Sequence, residues 1–322
     1  MRLIPSIRLL LPALALMLLV AAAPTAAAAD KPTLGLRYAT LTPDNQHVVF
    51  AYRGDIWIAP VDGKSRARRL TIHEAQDTIP RVSPDGKTIA FISRRGGGYD
   101  VYTVGIDGGM PKRVTFHSAG EVLCDWSPDG KRLLILTGRH PSFHGSDLYE
   151  VELAGGTPRR ITRDGGREGN YTSDGKKIVY VRGTVTIYQD NYTGSSNYDI
   201  YTVDAPGALP KQLTQTDGNE RWPCFSKDDK TIWFVAEEKG VANFYAIPAE
   251  GGKRTQVTKF KEDVWRPDLG WDGKTVVFEQ SGKLFMADLT AKEPKARQIK
   301  VVVDSDVRHS GIEIRQITKG PE

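Results

Sequence analysis

The chain has 322 residues, 39% of them hydrophobic and 26% charged, an ordinary composition for a folded domain that needs no disulfide staples at this length. Lys and Arg number 44 against 39 Asp and Glu, and the resulting formal charge of +5 is scattered rather than gathered in one stripe, which argues against a nucleic-acid partner. Only two cysteines are present, which excludes a disulfide-built scaffold.

Residues 1–29 stand apart from the rest. Arg2 and Arg8 make a basic start, residues 9–20 are apolar, and an alanine-rich stretch ends in Ala27-Ala28-Ala29 before Asp30. That is the layout of a secretory signal with a small-residue cleavage site. The alternative is an uncleaved anchor, which needs about 20 strongly apolar residues; Pro12 and Pro24 interrupt this stretch. The reading predicts an exported chain, periplasmic or extracellular, with no stable membrane insertion after cleavage. Export exposes thiols to oxidation. Cys124 and Cys224 fall on equivalent strands two repeats apart, farther than the ~7 Å Cα limit for a disulfide. Both are predicted to be buried and unpaired.

From residue 35 a repeat governs the chain. Turns anchored on Asp44, Asp85, Asp129, Asp174, Asp228 and Asp272 recur every 41 to 54 residues. The clearest copies are Ser83-Pro84-Asp85-Gly86-Lys87 and Ser127-Pro128-Asp129-Gly130-Lys131. Asp-Gly supplies the positive φ of a tight hairpin turn, and the proline presets it. An apolar strand follows each turn, such as Ile89-Ala90-Phe91 or Ile232-Trp233-Phe234, suited to a pleated surface covered on both sides. A third strand follows, for example Asp100-Val101-Tyr102. A fourth carries a recurring tag, as in Arg69-Leu70-Thr71 and Arg113-Val114-Thr115. Four-stranded antiparallel units at this period are propeller blades. The predicted organisation is all-β: a signal peptide at 1–29, a six-bladed β-propeller at 30–303, and a tail at 304–322. The tail repeats the fourth-strand tag in Arg315-Gln316-Ile317-Thr318; this extra strand either closes the ring or begins another array.

These repeats resemble the Pro-Asp propellers of TolB and of tricorn-like proteases. The nearer resemblance is to the N-terminal six-bladed propeller of secreted tricorn-like serine peptidases. It is carried by Gly54-Asp55-Ile56-Trp57, by residues 82–93, and by a stretch that starts at Trp265-Arg266-Pro267 and continues through Phe278-Glu279-Gln280 to Gly282-Lys283-Leu284-Phe285. In such peptidases the catalytic residues lie in a separate C-terminal domain, so none maps onto this chain. The resemblance implies a non-catalytic module that binds or gates peptides or protein partners, one of which is a protease domain. Two alternatives stand beside it: a TolB-like periplasmic scaffold for envelope proteins, and a peptidase in its own right.

Motifs for independent chemistry are missing. No Gly-x-Ser-x-Gly elbow exists. His73-Glu74-Ala75-Gln76-Asp77 has aspartate where a zinc helix needs its second histidine, and Asp304-Ser305-Asp306 lacks the other positions of a calcium loop. No metal or cofactor is predicted.

The candidate site comes from topology. Loops joining strands two and three, and blade to blade, lie on one face, opposite the Pro-Asp turns. That face gathers Arg139, His140 and His144 in the blade-three loop at 138–146. It also gathers Arg182, Tyr188 and Tyr192 in the long blade-four loop, and Arg221, Trp222, Trp265 and Arg266 between blades. Loops on a rigid scaffold carry binding, and Trp and Arg suit contact surfaces. Asp77, Glu121 and Glu220 sit eight residues before their turn aspartates. They are candidate channel-mouth acids for a peptide amino terminus or a cation; the alternative is that they pair with arginines of neighbouring blades.

Overall fold

The computed structural model describes residues 31–140, 145–184, 194, 196–204, 208–238 and 240–304. They form six four-stranded antiparallel sheets, each built from consecutive strands of one repeat. The predicted six-bladed propeller is therefore the architecture. The inner strands run Arg37–Leu41, Asp77–Val82, Glu121–Trp126, Gly166–Tyr171, Glu220–Phe225 and Trp265–Leu269.

The repeated residues have repeated jobs. In the turns, the Ser83 hydroxyl donates to Asp85 at 2.6 Å and Ser127 to Asp129 at 2.5 Å. The same aspartates accept the backbone N–H of Lys87 and Lys131, and glycines at φ +72° and +68° complete the turns. The tag threonine replaces a missing ladder acceptor. Its hydroxyl receives the third-strand N–H of Ile56, Val101, Leu148, Ile200 and Phe244 at 2.9–3.0 Å in five blades. In blades one to three the tag arginine pairs with the aspartate opening the third strand, as Arg113 does with Asp100 at 2.7 Å.

Burial is distributed, not central. Six apolar clusters each combine residues of two adjacent blades. Leu134 and Leu148 pack on Tyr180 and Tyr201 between blades three and four, and Phe50 and Trp57 pack on Val277 and Leu284 between blades one and six. This last cluster closes the ring. Thr33 N–H donates to the Val301 carbonyl and Ala67 N–H to the Val302 carbonyl, both at 2.8 Å. The tail beyond residue 304 and the leader before residue 31 lie outside the described residues.

Candidate functional site

All six inner strands face a central channel. Its wider part is a cavity of ≈ 740 Å³ lined from every blade, including Tyr38, Ile79, Val122, Glu168, Trp222 and Arg266. Toward the Pro-Asp turns lies a second cavity of ≈ 310 Å³, reaching Pro84, Pro128, Ser173 and Lys227. The two share a waist formed by Arg81, Asn170, Asp268 and Leu269.

The upper wall owes its shape to bulges. Each inner strand slips register against its neighbour, as between Thr78 and Arg81 or Arg221 and Cys224. Tyr38, Ile79, Glu168, Trp222 and Arg266 sit at these slips with φ from +43° to +53°, and all five line the wider cavity. Left-handed non-glycine residues cost of order 1–3 kcal/mol each and persist only where the surroundings impose them. Two are held by carboxylates of the adjoining blade. Glu279 accepts the Tyr38 N–H and Glu168 accepts the Trp222 N–H, both at 2.8 Å.

The waist is polar. Arg81 Nε lies 3.3 Å from an Asp268 oxygen and donates to the Cys124 carbonyl at 3.1 Å, tying blades two, six and three. Asp125 accepts from Asn170 Nδ2 at 2.8 Å and from the Tyr171 N–H at 3.0 Å. Surrounding protein raises its carboxyl to about 7, against the pull of the Tyr171 N–H. Below, Trp271 donates its indole N–H to the Val82 carbonyl at 3.3 Å.

The predicted site residues divide accordingly. Arg221, Trp222 and Arg266 line the cavity, and Trp265 meets Trp222 edge-on at 5.9 Å. Arg221 is held by Glu168, with Nε–Oε1 at 2.9 Å, and lies over Tyr198. Arg139, His140 and Arg182 do not line it. Arg139 is half-buried against Glu121 and over the Tyr149 ring, His140 is exposed, and Arg182 pairs with Asp164. His144, Tyr188 and Tyr192 lie outside the described residues. Asp77, Glu121 and Glu220 are at most 2% exposed and point into the blades, where Arg95, Arg139 and Arg254 of their own blades bind them. The channel-mouth assignment of these acids is thus corrected, as is pairing with arginines of neighbouring blades; what reaches Glu121 from the blade before it is the Thr115 hydroxyl. A strand-opening acid sits one pleat away from the channel wall. Burial raises the Glu121 carboxyl and lifts Glu220 to about 7.

Cys124 and Cys224 are unpaired, as expected, but half-exposed in the channel wall rather than buried. The surrounding protein pushes the Cys124 thiol up to about 12 and raises Cys224 as well, which disfavours the thiolate form. Tyr38, Ile79, Arg81, Asp125, Arg167, Glu168, Asn170 and Asp268 were not singled out from the sequence. One signal for part of this set was there. Ile79-Pro80, Trp222-Pro223 and Arg266-Pro267 place proline inside a strand, which marks a bulge.

The similarities to known proteins agree with this architecture. Tricorn protease homolog 1 of Streptomyces coelicolor is 26% identical over 264 residues, covering 80% of this chain and 24% of that protein. The crystal structure of the tricorn protease superposes with a TM-score of 0.68 at 19% identity, over 85% of this chain and 27% of the other. TolB from Acinetobacter baumannii gives a TM-score of 0.57 at 22% identity, over 78% and 60%; at these identities the two structures speak for the fold alone. The chain spans at most 24% of the length of the first curated relatives it matches. Residues 34–293 match the tricorn protease N-terminal beta propeller domain, and the chain belongs to that family.

Proposed function

We propose that the chain is an exported, non-catalytic propeller module that admits extended peptide into its central channel and gates its passage at the Arg81–Asp268 waist. The observation that carries this reading is the pair of cavities, ≈ 740 and ≈ 310 Å³, meeting at four shared residues. Support also comes from the five left-handed residues around the wider cavity, because strain gathered at one place commonly accompanies function. The partner is a peptide or a protein that delivers one, a protease domain included. Export rests on the leader composition.

The test is isothermal titration of the purified chain with short unstructured peptides. Trp222→Ala is expected to weaken binding by about tenfold, the effect of removing an aromatic anchor worth ~1.4 kcal/mol. Lys64→Ala, on the exposed rim, is expected to leave it unchanged. Binding indifferent to Trp222→Ala overturns the channel reading. Peptide hydrolysis by the purified chain, abolished by a serine-reactive inhibitor, overturns the non-catalytic one.

A further inference from the structure

Four arginines line the wider cavity: Arg81, Arg167, Arg221 and Arg266. Three have carboxylates assigned to them. Asp268 faces Arg81 at 3.3 Å, Glu168 holds Arg221, and Glu279 lies 3.3 Å from Arg266. Arg167 differs. No hydrogen bond or ion pair reaches its side chain from the described residues, and its Nε is buried without an acceptor. The cavity-lining carboxylates, Glu168 and Asp268, are already engaged by Arg221 and Arg81.

We propose that Arg167 is the anchor for a carboxylate of the peptide that enters this cavity, an inference that rests on the channel reading above. A guanidinium stays charged at any physiological pH, and its planar fork matches a carboxylate with two parallel N–H···O bonds. The two terminal Nη groups are not buried as Nε is, and no acceptor among the described residues holds them, so they are the donors left for an incoming anion. The apolar flank supplied by Val122, Leu136 and Trp222 lowers the local dielectric and strengthens the contact. The carboxylate has two sources in a peptide, an acidic side chain or the chain terminus.

The full chain is titrated with a short synthetic peptide of alternating leucine and glutamate with a free carboxyl terminus. Three relatives complete the set: glutamine replacing glutamate, a carboxamide terminus, and both changes together. Wild type is expected to bind the acidic peptide about tenfold or more tightly than the fully neutral one. Whichever single neutralisation removes the preference identifies the source. Arg167→Gln is expected to bind all four alike. Arg167→Lys, which keeps the charge and loses the fork, is expected to retain a reduced preference, and it keeps the test available if Arg167→Gln melts early. Equal wild-type affinities, or an acidic preference that survives Arg167→Gln, overturn the anchor and leave the channel reading standing. No binding of any peptide overturns both.

Discussion

Aspartate does opposite jobs at different depths of this fold. Asp85 and Asp129 sit on the turn face, and hydrogen bonds from Ser83 and Ser127 lower their pKa. Their contribution to stability is present above the ordinary carboxylate range and is lost as pH falls through the lowered values. Asp125 is the reverse. Its carboxyl is raised to about 7 by burial, so its contribution is complete below the unfolded value and is lost as pH rises through about 7. The melting temperature of the wild type should therefore decline from about pH 5 to about pH 7 and level off above that. Asp125→Asn should flatten that decline in part, with Glu220, also raised to about 7, retaining the rest. A decline of unchanged steepness in Asp125→Asn would show that Asp125 is not the titrating group.

Within each blade the unit of construction is a strand pair with a lock. The tag threonine closes a hydrogen bond across 14 or 15 residues of chain. Thr258 is 1% exposed; its hydroxyl accepts the Phe244 N–H at 3.0 Å and donates to Asn243 Oδ1 at 2.9 Å. Thr258→Val keeps the shape and removes both bonds, leaving a buried N–H without a partner. The expected loss is about 1–3 kcal/mol, measured by denaturant unfolding, with Thr258→Ser much closer to wild type. Equal stability of the valine variant would mean that the hydroxyl is dispensable. The inner strand has a different logic. Gly169 has no side chain because an added Cβ would lie 2.6 Å from Leu134 Cδ2 of blade three, so its identity answers to the neighbouring blade rather than to its own strand.

At the scale of the ring, stability resides in six wedges, and the closing wedge is built like the rest. Leu284 is fully buried between blades six and one, as Leu148 is between blades three and four. Each Leu→Ala change should cost about 2–5 kcal/mol, and Leu284→Ala should lower the single calorimetric transition of the whole propeller. A separate early transition in that variant would mean that the ring opens at this seam before it unfolds. What the sequence determined alone was the periodic part: the blade count, the four strands of each unit, the turns and the family resemblance. Those features repeat, and they depend on residues near one another in the chain. Tertiary structure alone decided which polar residues face the channel. Arg81 meets Asp268 across the axis, and Glu168 reaches Arg221 from the blade before it. One pleat separates a wall residue from a buried one, so Glu220 vanished into its blade while Trp222, two positions on, came to line the cavity. A bulge resets that alternation, and pairs between blades are set by closure of the ring rather than by spacing along the chain.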